Sequence, residues 1–566
     1  MLARGSRAAT HAVLRRGYRT DPITRLQLDI LASEAGQDGV PEPRQAVTKS
    51  PEAIRGESMR GDVQLPLELQ QVVEKAIEAA ESKQQIRQYA LDLYAHMRAT
   101  TGLQQRDKAA GLRPAKAATT PTYDGPTSLA YLAGLMPSVF GSTLHALTST
   151  RDRLKLARLD DTQQEWIPER IIDFGCGTAS AAWAFDLVWP ETTSKEYIGL
   201  DSSRSMVELA SAVVGALPNR VVEDGRGQLT KSTIEAKVHQ LVLPASRQSM
   251  AKLHVSPSNR VTVDGISRRK RTVAIAAFSL SDAKSREKRK ELVRSMWESG
   301  SDVIVIVDRG TPAGSRAVIE AREQLLMFGK RSVAKANEFG VDETEPIPGS
   351  HVLAPCPHDG KCPLHHTTKS FCHFSQRVRS PAFLRQTKHT TRGEDDAKFS
   401  YVVIRRGSRP GTEAQNAVVD SEDGTTLDSK ATSGPGPTVD HYSNEMSWPR
   451  LVAPPLKRSG HVVLEVCTAS GQLERHTIPK SQGRQPYYDA RKVAWGDTFP
   501  HRPKNGPQPA PAMLNHPFEW PIEDKFGPGR SKLRQKKADR KVLDDGSGVQ
   551  EFEMDFDEDG KLRVVS

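Results

Sequence analysis

The chain has 566 residues, with 80 Lys+Arg against 69 Asp+Glu for a formal charge of +11, and 37% of it is hydrophobic. That length exceeds one ordinary domain, five cysteines are too few for a disulfide-stapled scaffold, and no apolar run approaches the roughly 18–20 residues that cross a bilayer. A basic protein of several segments remains, with a real core and much solvated chain.

Residues 1–20 carry Arg4, Arg7, Arg15, Arg16 and Arg19 and no acid before Asp21. That composition predicts a mitochondrial presequence and hence a matrix address. A linker is expected over 21–65 and a helical region over 66–165. In that region Val72, Val73, Ala76, Ile77 and Ala80 share one helical face between Leu67 and about Thr100, and a second helical patch runs Ser128–Leu147. From 166 to 345 strand and helix patterns alternate: Ile171–Phe174, then Ala181–Val188, Tyr197–Leu200, Thr272–Leu280, Arg286–Glu298 and Asp302–Val307. Such alternation predicts an α/β domain with a parallel sheet. Within it, the polar stretch 231–271, which contains the basic run Arg268–Arg271, reads as an insertion.

Beyond it lies a cysteine-rich segment, 346–406, then a Gly-, Ser-, Thr- and Asp-rich stretch, 407–440, that predicts a disordered insertion. Residues 441–500 read as a small β unit with strands at His461–Val466 and Gln472–Ile478. The tail, 501–566, is proline-rich, then basic with eight Lys/Arg against one Asp over 525–541, then acidic with eight acids against two bases over 542–566.

Two constellations carry chemistry. The first is Asp173-Phe174-Gly175-Cys176-Gly177-Thr178-Ala179 between a strand and a helix. Glycines there let the backbone turn sharply and approach a ligand closely. Asp201, 28 residues after Asp173 at the end of the next strand, can accept hydrogen bonds from a ribose diol. The spacing resembles that of S-adenosylmethionine-dependent methyltransferases, making Asp173, Gly175, Gly177 and Asp201 the candidate cofactor residues; an ordinary tight strand–helix turn is the alternative. After the fourth parallel strand, where base-modifying enzymes of this fold often carry an Asn/Asp-Pro-Pro-aromatic loop, the chain reads Ala277-Phe278-Ser279-Leu280-Ser281-Asp282. No catalytic residue is therefore assigned.

The second constellation is cysteine. Cys356, Cys362, Cys372 and Cys467 are separated by five, nine and ninety-four residues. Four thiolates suit either a tetrahedral zinc or a 4Fe–4S cluster. The spacing departs from paired zinc knuckles and favours the bulkier cluster, while His358, His365, His366 and His373 could replace a thiol, most readily for zinc. Because Cys467 lies in the β unit, a shared metal centre would tie that unit to the α/β domain.

Several segments together resemble one family, the methyltransferase-like assembly factors of the mitochondrial ribosomal small subunit, whose fungal members were once counted as small-subunit ribosomal proteins. They are DFGCGTAS (173–180), VDRGTPAG (307–314), APCPHDGKCPL (354–364), FCHFSQR (371–377) and GHVVLEVC (460–467), followed by Lys480-Ser481-Gln482-Gly483 and Trp495-Gly496-Asp497. The resemblance implies a Rossmann-like class I methyltransferase domain that binds S-adenosylmethionine. It also implies a 4Fe–4S cluster on Cys356, Cys362, Cys372 and Cys467, and binding to small-subunit rRNA, with methyl transfer lost. An active rRNA methyltransferase and a zinc-bearing structural ribosomal protein are the alternatives. The net charge is compatible with RNA, the basic patches being Arg268–Arg271, Lys284–Lys290 and 525–541. A monomer when free and no membrane insertion are expected.

Overall fold

The computed structural model describes residues 48–58, 61–99, 122–156, 165–410 and 442–510, apart from short gaps within them, and two four-residue strands near the C-terminus. The chain divides into two units, 1–50 and 51–566, and the description below concerns the second. The expected presequence, nearly all of the 407–440 stretch and the basic run 525–541 lie outside the described residues.

The helical region contains Leu67–Glu78, Lys83–Ala99, Gly125–Gly134 and Met136–Leu156. The helical pattern expected from Leu67 to about Thr100 is carried by two helices, parted at 79–82. Asp124 starts the third by accepting the Thr127 N–H at 2.9 Å with a proline in the first turn.

Strands β1 (Arg170–Phe174), β2 (Ser194–Asp201), β3 (Arg220–Glu223), β4 (Leu229–Gln240), a separate hairpin of β5 (Arg260–Val263) and β6 (Ile266–Arg269), β7 (Thr272–Ala277), β8 (Val303–Arg309), β9 (Ser350–Ala354), β10 (Phe374–Arg379) and β11 (Glu394–Arg406) follow. The main sheet runs β10-β11-β8-β7-β1-β2-β4-β3, with β9 also on β11. The strands β4, β2, β1, β7 and β8 are mutually parallel, and β11 runs antiparallel to β8, β9 and β10. This is the class I methyltransferase arrangement, a parallel sheet closed by an antiparallel edge. Both faces are covered, so the central strands are apolar throughout. Ile171, Tyr197 and Val273 point to one core; Ile172, Phe174, Ile198 and Ala274 point to the other. From β1 the chain builds outward through β2 to β4, then returns to β7 on the other flank. The order therefore reverses between β1 and β7, where ligand crevices open at the carboxyl ends of parallel strands.

Two expected boundaries are corrected. The stretch 231–271 is not wholly an insertion, because 231–240 belong to β4, which pairs with β2 from Ser194↔Thr233 to Asp201↔Gln240. Ile234, Ala236 and Val238 pack on the core, but polar Thr233, Glu235 and Lys237 alternate with them, and the lysines and glutamate masked the strand pattern. Nor does the sheet stop at 345. The cysteine-rich segment supplies β9, reached from β8 over the long helix Pro312–Phe339, and the antiparallel pair β10 and β11, whose β11 joins β8 antiparallel without a crossover helix between the two.

The C-terminal unit is a small antiparallel sheet of β12 (Arg450–Leu451), β13 (Leu456–Lys457), β14 (His461–Cys467), β15 (Leu473–Pro479) and β16 (Gln508–Pro509). It has its own core of Leu451, Val462, Leu464, Val466, Ile478 and Phe499 and a helix, Arg484–Lys492. Arg450, buried, joins it to the main sheet: its Nε donates to Pro355 O and its Nη1 to Gly496 O, the latter at 2.6 Å. The Trp495 ring meets His373 edge-on at 4.6 Å. Among the described residues, no helix is long and apolar enough to cross a membrane.

Candidate functional site

The glycine turn sits at the carboxyl end of β1. Gly175 (φ +77°) and Gly177 (φ +51°) adopt the left-handed backbone, as does Ala179 (φ 55°). A Cβ at Gly175 would lie 2.5 Å from Ser279 Oγ, so the close packing also requires glycine. The turn is tied to β2 by Gly175 N–H and Cys176 N–H, both donating to Leu200 O at 2.8 and 3.0 Å. Asp201 holds it from the side: one carboxylate oxygen accepts Gly177 N–H at 2.9 Å and the other Ser203 N–H at 2.8 Å. Burial nevertheless raises its pKa above the ordinary carboxylate value.

Asp173, 1% exposed, accepts the Tyr197 hydroxyl at 2.9 Å through Oδ2, while its Oδ1 is buried with no hydrogen-bond partner among the described residues. Burial pushes its pKa up to about 7, and the nearby Asp201 charge adds to the shift. Such an unmet acceptor beneath a glycine cradle fits a ligand that brings a donor, as an amino-acid ammonium does. The four cofactor residues expected from the sequence therefore converge at the switch point. Cys176 is buried and its thiol is pushed up, which suits packing and not nucleophilic attack.

Tyr131, Tyr123 and Asp282 complete the surroundings, the tyrosines having been singled out by no sequence feature. The Tyr131 ring lies over Gly177, 3.7 Å from where a Cβ would stand. The Tyr123 ring meets that of Tyr131 edge-on at 5.8 Å, and its backbone carbonyl accepts Ser203 Oγ–H at 2.6 Å. Asp282 accepts both the Tyr123 hydroxyl, at 2.7 Å, and Arg309 Nη2–H, at 2.6 Å. The loop after β7 is held equally firmly. Asp308 accepts Ser281 N–H at 2.8 Å and also the Ser281 hydroxyl. Beside it a cavity of about 640 Å³ opens between Tyr131, Phe278, Arg309 and the β10–β11 edge. Neither tyrosine has a local motif; both reach the turn only because the helical region folds over it.

The four singled-out cysteines line one small cavity with Pro355, Pro357, Pro363 and Arg450. Cys356 follows β9 and Cys362 lies in the loop beyond it. Cys372 precedes β10, its carbonyl accepting the hydroxyls of Ser315 and Ser400 at 3.0 and 2.7 Å. Cys467 ends β14, with its Sγ 3.3 Å from His358 Nε2. Burial pushes the Cys362 thiol up to about 11 and raises Cys372 and Cys467 also, each further raised by neighbouring cysteines. As the side chains stand, no three His, Cys, Asp or Glu among the described residues converge closely enough to hold an ion. The donor set nonetheless suits a soft metal centre: the four cysteines line one cavity together with the buried Arg450, whose charge favours the Cys372 thiolate, and a second buried arginine acts on the thiols from outside that lining. Arg322, 2% exposed, donates to His358 O at 2.8 Å and lowers the proton affinity of Cys362, Cys372 and Cys467. Of the four candidate histidines, His358 reaches a cysteine; His365 instead pairs with Glu323 at 3.1 Å.

The basic run Arg268–Arg271 is a clamp at the amino end of the sheet. Arg268 meets Glu169 through both terminal nitrogens at 2.7 Å, and Lys270 meets Glu196 at 2.9 Å. These cations are spent on the protein's own carboxylates. In the second patch, Arg286 and Lys288 pair with Glu320 and Glu291.

A glycine turn at the switch point of this sheet, with a cysteine cavity at its antiparallel edge, defines a methyltransferase-like protein. Residues 126–500 match the family described as mitochondrial small ribosomal subunit Rsm22, and the chain belongs to that family. It is 28% identical over 459 residues to Rsm22-cox11 tandem protein 2, mitochondrial, of Schizosaccharomyces pombe, covering 79% of this chain and 52% of that protein. It is 27% identical over 380 residues to ribosome assembly protein METTL17, mitochondrial, of Homo sapiens, covering 67% and 64%. A third relative, ribosome assembly protein RSM22, mitochondrial, of Saccharomyces cerevisiae, is 28% identical over 247 residues, covering 35% and 38%. The chain thus spans about half the length of the fission-yeast relative and just under two thirds of the human one.

Proposed function

We propose that the protein is an assembly factor of the mitochondrial small ribosomal subunit, acting in the matrix on rRNA or a precursor particle without transferring methyl groups. The relatives named as mitochondrial ribosome assembly proteins support the process and the compartment. The observation that carries the non-catalytic reading is the state of the loop after β7. Its polar side chains are engaged internally, Ser281 by Asp308 and Asp282 by Arg309 and Tyr123, whereas methyl transfer requires a nucleophile aligned against the sulfonium. In this reading Asp173, Gly175, Gly177 and Asp201 hold S-adenosylmethionine as a structural ligand. Cys356, Cys362, Cys372 and Cys467 hold a 4Fe–4S cluster, which supplies a fixed junction between the main sheet and the C-terminal unit. The cavity of about 640 Å³ beside the turn is of ligand size and favours the second reading, an active rRNA methyltransferase.

Substitution at Gly177 separates the two. A Gly177→Val variant loses rRNA methylation if the protein is an enzyme; the scaffold reading expects an unchanged methylation pattern, scored by rRNA mass spectrometry beside small-subunit accumulation. For the metal, anaerobic purification should give a brown protein with about four irons per chain. A colourless protein with stoichiometric zinc overturns the cluster assignment.

A further inference from the structure

The C-terminal unit segregates its charge. Residues 450–510 contain ten Lys/Arg against four Asp/Glu, and the four acids do not reach the outer face. Glu465, Asp489 and Asp497 are buried, and Glu474 is half-buried beside His476 at 2.9 Å. Glu465 is paired with Arg475 at 2.5 Å and Asp489 with His501 at 2.6 Å. By contrast Arg458, Lys480, Arg491, Lys492, Arg502 and Lys504 are exposed, and among the described residues none of them is within ion-pair distance of a carboxylate.

These cations form one surface. Arg491 Nη1 donates to Arg458 O at 3.2 Å. The Arg491 guanidinium and Lys480 Nζ each stand 5.9 Å from the centre of the Tyr487 ring, and the Tyr487 hydroxyl donates to Ser459 O at 3.3 Å. The Lys480-Ser481-Gln482-Gly483 motif extends the surface: Gln482 Nε2 donates to Arg502 O at 2.8 Å, and Gln482 Oε1 accepts Lys504 N–H at 3.0 Å. The platform is rigid, being the β14–β15 pair, registered at His461↔Pro479, and the helix Arg484–Lys492, whose Ala490 is fully buried.

We propose that this face, centred on Arg458, Lys480, Tyr487, Arg491, Arg502 and Lys504, binds an RNA backbone. Unneutralised cations release counterions from phosphates, guanidinium groups pair with phosphate oxygens in fork geometry, and a tyrosine between cations offers a stacking face to an unpaired base. The proposal rests on the assembly-factor reading and locates its RNA contact. It also gives the cysteine cavity a task. Cys467 closes the far end of β14, roughly 20 Å from the cationic end at about 3.3 Å per residue. A unit anchored at the cavity therefore presents the cations in a fixed direction.

The test uses the full chain, purified anaerobically, with a small-subunit rRNA transcript as probe. The triple variant Arg458→Ala/Arg491→Ala/Arg502→Ala should bind at least tenfold more weakly, and the slope of log K against log salt should fall by about three. The Arg→Lys triple should keep the slope. A control pair away from the face, Arg204→Ala/Arg247→Ala, should leave both quantities unchanged. Thermal melts of every variant establish that each is folded. If the alanine triple binds like wild type with the same slope, this surface is not the RNA contact. If RNA binding persists in the triple while association with precursor particles is lost, the face contacts an acidic protein and the proposal is likewise overturned. Wild type that binds no RNA overturns the RNA reading of the function as well.

Discussion

Asp173 sits at the first turn of the site with one carboxylate oxygen on Tyr197 and the other without a partner among the described residues. Its folded-state pKa of about 7 lies above the value near 3.9 of an unfolded chain. Between those values the folded protein keeps a proton that the unfolded chain has lost. The contribution is therefore fully present below about pH 4 and lost as pH rises through 7. Asp201, also raised, acts with the same sign. An Asp173→Asn variant, which can still accept from Tyr197, should lose less melting temperature than wild type between pH 5 and pH 7.5. Parallel pH dependences of the two proteins would rule out a buried neutral carboxyl. The residue types at this turn were legible because glycine and a strand-terminal acid have few structural substitutes. The unmet Oδ1 was not, since only the packed neighbours decide which acceptors go unserved.

At the scale of elements, close approach matters more than propensity. Gly329 lies inside the long helix Pro312–Phe339, where alanine would ordinarily add about 1 kcal/mol of stability. Here a Cβ would stand 2.0 Å from Ser350 Oγ and 2.6 Å from Ser350 N, at the start of β9. Gly329→Ala should therefore destabilise the protein by about 1–3 kcal/mol, read as a lowered denaturation midpoint. A raised midpoint would show that the helix and β9 can separate freely. The strand leads directly to Cys356, so a shifted β9 should also disturb the cysteine cavity. Helices and the central strands of this domain could be read from their periodicity. The strand β4 could not, because its lysines and glutamate sit on one face while Ile234, Ala236 and Val238 fill the other. Likewise Arg268–Arg271 read as a free basic patch until Glu169 and Glu196, remote in sequence, were seen to meet it.

Across the whole molecule, the C-terminal unit is joined to the main sheet around the cysteine cavity. Arg450, Trp495 and Cys467 reach across from one side, and Pro355, His373 and Cys372 meet them from the other. Metal-binding free energy at such a junction becomes folding free energy. With the proposed cluster at the cavity, Cys372→Ser should lower bound iron and make the segment 442–510 sensitive to limited proteolysis, with the main sheet still protected. Treating the wild type with a chelator under reducing conditions should produce the same pattern. A variant with unchanged proteolysis would dissociate the cavity from the junction.

The sequence by itself determined the parallel α/β domain, the glycine turn, the acid at the end of β2 and the four thiols, because each depends on residue type and local spacing. Tertiary structure alone decided that the helical region lays Tyr131 over Gly177 and that cysteines separated by 94 residues line one cavity. It alone decided which basic residues meet a carboxylate and which, among the described residues, do not. Charge pairing and burial depend on distances across the chain, and those are set only when the sheet and its edge units have packed.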